Sequence, residues 1–228
     1  MLNRIIVAVD GMPFEQARDL VFALSGKPGL WGFKVNDALR ERGYELIPWL
    51  KNHGRVMADL KLHDIPNTVG NDVTRLFALQ PELVTVHASG GVEMMKAAVK
   101  CGGDHTKIVA VTVLTSLNEE QCRHIYGGTV AEVVQRFSTD ALEAAVEYSV
   151  SSGQDLKVLT DQSFAGLTKI TPGIRPLWAA AAGDQKRVMT PREAIDAGAG
   201  LLVIGRPITG HEDPVEALRL TVEEIGGE

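Results

Sequence analysis

Eight short apolar runs alternate with stretches of helical period, and charged residues gather where those runs end. Together these observations predict an α/β chain forming one domain, a (β/α)8 TIM barrel over residues 1–228. The runs at 4–9, 30–35, 55–60, 83–87, 108–113, 156–159, 168–171 and 201–204 have strand length and apolar character. Between them, segments 13–25, 38–52, 67–79, 91–101, 130–150, 191–197 and 214–225 carry helix periodicity, and several open on Pro or Asn, residues suited to a helix start. Such alternation implies parallel strands joined by crossover helices, and eight units suffice to close the sheet on itself. The sixth unit is the short one, because only 160–167 separates the sixth and seventh runs, so its helix must be abbreviated or irregular. No fixed-period repeat or linker-like stretch divides the chain, which favours a single domain.

Composition narrows the function. A hydrophobic share of 45% with 23% charged residues is that of an ordinary globular protein with a substantial core. A net charge of −6 argues against a nucleic-acid surface, which relies on clustered Lys and Arg, yet leaves room for a small anion held by a local field. Met1-Leu2-Asn3-Arg4 runs directly into a strand without a basic and apolar leader, and no apolar run approaches membrane-spanning length. A cytoplasmic protein with no membrane partner is the expectation. Cys101 and Cys122 have neither metal-ligand spacing nor the number a disulfide framework needs, so both read as reduced and structural.

In barrels of this kind the reactive groups sit at the carboxyl ends of the strands. Asp10 closes the first run, Lys34 lies near the end of the second, Asp59 and Lys61 end the third, His87 the fourth, and 112–116 the fifth. Strand side chains alternate with period two, so Asp59 and Lys61 are expected to point the same way, with Asp64 three residues further on. A cation wedged between carboxylates is costly to bury unless the charges compensate one another, which suits a cleft acting on a charged or charge-developing substrate. A solvated cluster at a strand end is the competing reading. Four charged groups converging on one mouth speak against it, since packing would be served as well by apolar residues.

The last strands supply an anion site. Run 201–204 is followed by Gly205-Arg206-Pro207, and the seventh ends in Thr171-Pro172-Gly173-Ile174-Arg175. Loops after strands seven and eight commonly bind phosphate through backbone N–H groups. Gly205 lets the backbone approach and Arg206 can add a bidentate contact. Segment 175–187 is long and weakly patterned enough for a lid. His63, His87 and His211 show no H-x-H or H-E-x-x-H pairing and read as structural or surface residues, so no metal site is expected. No P-loop or G-x-G-x-x-G opens a helix.

The run Asp59-Leu60-Lys61-Leu62-His63-Asp64-Ile65-Pro66-Asn67-Thr68, with Asp10, Lys34, Thr171-Pro172-Gly173-Ile174-Arg175, Gly183-Asp184-Gln185 and Ile204-Gly205-Arg206-Pro207 in this order, closely resembles the orotidine 5'-monophosphate decarboxylase family over nearly the whole chain. The resemblance implies a homodimeric barrel that converts orotidine monophosphate to uridine monophosphate and CO2, the last step of de novo pyrimidine nucleotide synthesis, without metal or organic cofactor. It implies that Lys34, Asp59, Lys61 and Asp64 form the catalytic array, with Asp64 and Thr68 completing the partner subunit's site. Asp10 would hold ribose hydroxyls, Thr115 the pyrimidine region, and Arg175, Gln185, Gly205 and Arg206 the phosphate side. The chain departs from the pattern in its abbreviated sixth unit and in an apolar lid at 177–182.

Charge then suggests a mechanism. Loss of CO2 leaves an electron pair at C6 that the ring delocalises poorly, and the Lys61 ammonium is placed to stabilise it and donate the replacing proton. Asp59 would stand beside the departing carboxylate, while Lys34 and Asp64 fix Lys61 in place. Binding of the remote phosphate would drive lid closure. Two alternatives stay open. A metal-dependent sugar-phosphate decarboxylase or aldolase shares D-x-K-x-x-D, and a noncatalytic nucleotide-phosphate binding protein would share the anion site.

Overall fold

A computed structural model of the chain describes residues 3–179 and 189–226. Among these residues, parallel strands β1 (Ile5–Ala8), β2 (Leu30–Val35), β3 (Arg55–Leu62), β4 (Leu83–His87), β5 (Lys107–Val111), β6 (Tyr148–Val150), β7 (Thr168–Thr171) and β8 (Ala199–Ile204) close a barrel in chain order, β8 pairing with β1. Outside it run α1 (Phe14–Leu24), α2 (Asp37–Arg42), α3 (Leu46–Lys51), α4 (Pro66–Phe77), α5 (Val92–Gly102), α6 (Glu119–Tyr126), α7 (Val130–Glu143), α8 (Pro191–Asp196), α9 (Arg206–Thr209) and α10 (Pro214–Ile225). The strands read as continuous apolar runs because both faces are buried. Ile6, Met57, Leu83, Val109, Ile170, Leu201 and Val203 pack together inside the barrel. Their strand neighbours Ile5, Val7, Val56, Ala58, Val84, Ile108 and Leu202 pack outward under the helices. Gly32 permits the close approach of β2 to β3, since a Cβ there would sit 2.1 Å from the Arg55 carbonyl oxygen. No helix among the described residues is long and apolar enough to cross a membrane.

Three sequence expectations change. The sixth strand is Tyr148–Val150, not 156–159. The helix expected over 130–150 ends at Glu143, and Ala145 takes a left-handed φ of 58° that turns the chain into the strand. Alanine is a strong helix former, so nothing in the residue type marks that stop. Residues Asp155–Leu159 form a 3₁₀ helix, started by Asp155 accepting from the Ser152 N–H at 3.1 Å and its hydroxyl at 2.6 Å. The connection from β6 to β7 is irregular, as expected, and consists of this turn and a second 3₁₀ turn at Gln162–Phe164. The helix expected over 38–52 is split into α2 and α3 at Gly43, whose φ of 81° ends α2. The short α6 and α9 were not anticipated.

Candidate active site at the strand carboxyl ends

Asp10, Lys34, Asp59 and Lys61 meet at one rim of the barrel. The carboxylate of Asp59 is shared: its Oδ2 accepts from Lys61 Nζ at 2.7 Å and from Lys34 Nζ at 3.1 Å. Lys34 also donates to Asp10 Oδ2, making a chain of alternating charge from Asp10 through Lys34 and Asp59 to Lys61. The sequence predicts a cation, Lys61, between the carboxylates of Asp59 and Asp64. Instead an anion lies between two cations, because β2 brings Lys34 alongside.

Asn36 fastens this array from just past the end of β2, its N–H donating to Asp10 Oδ1 at 2.6 Å and its amide to the Asp59 carbonyl. Thr85 fastens it from β4, donating to Asp59 Oδ1 at 3.0 Å and accepting from the Lys61 N–H at 2.8 Å. Asp59 and Lys61 do meet, but not through a regular pleat. The β3–β4 ladder shifts between Ala58 and Leu62, and Lys61 has a left-handed φ of 52°. A local bulge, rather than simple alternation, aims the lysine.

Burial disfavours every charge here, and the partners decide which charges persist. At Asp59 burial raises the carboxyl, but Lys34 and Lys61 outweigh it and hold the group below its ordinary 3.8. At Lys34 burial lowers the amine, yet Asp59 and Asp10 prevail and hold it above 10.5. Asp10 goes the other way. It is half-buried, and burial, reinforced by Asp37, outweighs the attraction of Lys34, so its carboxyl is raised. His87, next along the rim, lies 5.5 Å ring to ring from His63, and burial together with His63 and Lys61 holds it below the ordinary histidine value.

Across the mouth, a cavity of about 220 Å³ opens between the ends of β7, β8 and β1. Pro172, Gly173 and Arg175 line one side, Gly205, Arg206 and Thr209 the other, and Ala8 and Asp10 join it to the charged array. Arg175 is anchored by its backbone, which donates to the Met189 carbonyl at 2.9 Å.

A family model described as orotidine 5'-phosphate decarboxylase / HUMPS matches residues 3–221. The chain belongs to this family. Orotidine 5'-phosphate decarboxylase of Streptococcus pneumoniae strain ATCC 700669 is 38% identical over 225 residues, covering 97% of this chain and 96% of that one. The crystal structure of orotidine 5'-phosphate decarboxylase from Lactobacillus acidophilus superposes with a TM-score of 0.84 at 30% identity, covering 99% of this chain and all of that one. An uncharacterized conserved protein from Geobacillus kaustophilus superposes at 0.81 with 28% identity, covering 96% and 99%. This member of the decarboxylase family is an enzyme, a carbon–carbon lyase.

The other expected site residues lie apart from the array. Asp64 is exposed beyond the end of β3, where its carboxylate accepts the Ile65 N–H at 2.7 Å ahead of α4. Thr68 is half-buried on the first turn of α4, and Thr115 is exposed after β5. Gln185 and the rest of Gly183-Asp184-Gln185 lie outside the described residues, as does most of the expected lid. Its first turn, Leu177–Ala179, is tied down where the Leu177 N–H donates to Glu224 Oε2 at 3.0 Å. Sequence reasoning missed Asn36 and Thr85. Asn36 lies two residues from Lys34, so its spacing from a predicted site residue could have found it, whereas Thr85 lies two residues from His87, which reads as structural, and between Val84 and Val86 it looks like an ordinary strand former.

Proposed function

We propose that the chain decarboxylates orotidine 5'-monophosphate to uridine 5'-monophosphate and CO2, in the last step of de novo pyrimidine nucleotide synthesis, with Lys61 as the acid. The observation that carries this reading is the Asp59 carboxylate paired with both Lys34 and Lys61, and linked through Lys34 to Asp10 in the wall of a cavity lined by Arg175, Gly205 and Arg206. The C6–carboxylate bond breaks, CO2 leaves, and its electron pair remains at C6. The Lys61 ammonium stabilises that pair and transfers a proton to it, forming the C6–H bond of the product. Asp59 stands against the departing carboxylate and holds the lysine on target. Lys34, itself paired with Asp10, holds Asp59 from the far side, and Asp10 also accepts from the ribose hydroxyls. Thr115 lies toward the pyrimidine, while Arg175, Gln185, Gly205 and Arg206 take the phosphate.

Asp64 and Thr68 complete the site of a second copy in a cytoplasmic homodimer. Their separation from the array within one chain, and the Ile65 side chain standing 65% exposed between them, support that assignment. The decisive experiment is loss of orotidylate absorbance in a chelator-treated preparation, with mass in solution measured alongside. Turnover that survives EDTA agrees with the proposal; turnover restored only by a divalent ion points to the metal-dependent sugar-phosphate branch of such barrels.

A further inference from the structure

Thr85 has no exposed surface, and it sits where the β3–β4 ladder fails. Ala58 pairs with Val84 and Leu62 with Val86, so Asp59, Leu60 and Lys61 together stand opposite Thr85 alone. A bulge of this kind leaves backbone donors without ladder partners. The Thr85 hydroxyl fills the gap by accepting from the Lys61 N–H, and with its own hydrogen it donates to Asp59 Oδ1. Two consequences meet in that one group. Lys61 is held at a φ of 52°, a conformation that a residue with a side chain keeps only when its surroundings impose it. The Asp59 carboxylate is turned so that Oδ1 faces Thr85 and Oδ2 faces both lysines.

We infer that Thr85 is a positioning residue for the reaction: its hydroxyl sets the backbone of Lys61 and the carboxylate of Asp59 relative to each other, and so aims the ammonium. The inference rests on the proposed role of Lys61. It requires the hydroxyl specifically, since a β-branched apolar residue would fill the same buried space.

The test compares turnover of orotidylate and affinity for uridine monophosphate in Thr85→Val, Thr85→Ala, Thr85→Ser and Lys61→Ala, with thermal melts for folding. Thr85→Val keeps the shape and loses the hydroxyl, and kcat is expected to fall on the order of 10²-fold, the cost of a misplaced reacting group, while KM and product affinity hold. Thr85→Ser is expected to restore most of the turnover. If Thr85→Val does not fold, Thr85→Ala, which overfills nothing, carries the same expectation. Wild-type kcat in either hydroxyl-free variant overturns the inference. So does a serine variant as slow as the alanine one, because that makes the methyl group responsible. With Lys61→Ala inactive, either result removes the role of Thr85 alone; an active Lys61→Ala removes the proposed role of Lys61 and this inference with it.

Discussion

The two sides of the barrel mouth are built on opposite plans. On the β1–β4 side each charged group of the array already has its partner inside the protein, linked Asp10 to Lys34 to Asp59 to Lys61 and braced by Asn36 and Thr85. On the β7–β8 side the structure keeps an opening of about 220 Å³, bordered by glycine and proline backbone with arginines at its edge. The difference separates two kinds of charge. Charge that develops only during reaction is best met by groups that are fixed beforehand and need not reorganise. A permanent charge on the ligand needs space and donors, and its binding energy can be used elsewhere in the reaction.

The comparison breaks most readily at Lys61. Lys61→Ala removes the proposed stabilising cation and proton donor, and turnover is expected to fall by about 10⁴-fold or more, while uridine monophosphate still binds by calorimetry. Comparable losses in kcat and product affinity would mean that the two sides are not separate. Asp59→Ala comes next. It leaves Lys34 and Lys61 facing each other without their shared anion, and a buried pair broken on one side costs about 3–5 kcal/mol, readable as a lower denaturant midpoint along with lost activity.

On the opposite side, Arg206→Ala is expected to remove a charge-assisted contact worth about 1.5–3 kcal/mol, raising KM roughly 10- to 100-fold. Its kcat should change far less than that of Lys61→Ala. A phosphate-free nucleoside substrate should make wild type and Arg206→Ala equivalent, which sharpens the assignment of that cavity.

The smallest effect is on stability against pH. Asp59 is held below 3.8 in the folded chain, so its contribution is complete above 3.8 and is lost as pH falls from there through the depressed value. Lys34 is held above 10.5, so its contribution is complete below 10.5 and is lost as pH rises through the elevated value. Asp10 opposes Asp59, because a raised carboxyl binds its proton more readily in the folded state and favours folding as pH falls through the window just above 3.8. Carboxylate titration followed by NMR should therefore show Asp10 and Asp59 moving apart. Titration of both below 3.8 would show that burial does not govern Asp10.

Much of this architecture was written in local pattern. Seven of the eight predicted strand runs coincide with or overlap observed strands, because a strand buried on both faces announces itself as an uninterrupted apolar run. The sixth strand did not, being three residues long and entered through an alanine in a left-handed conformation. The start of α6 was legible in hindsight, since Asn118 and Gln121 form a reciprocal cap. Its Gly127 stop, with φ of 76°, was legible too.

Sequence by itself determined the barrel and the charged residues that gather at its rim, because each depends on residue type and spacing along one strand. Only the tertiary structure decided that Asp59 serves two lysines, that Asp10 and Asp59 shift in opposite directions and that Thr85 governs the turn at Lys61. Those facts arise between neighbouring strands, where burial and the register of the ladder set which groups touch, and no spacing within a single strand encodes them.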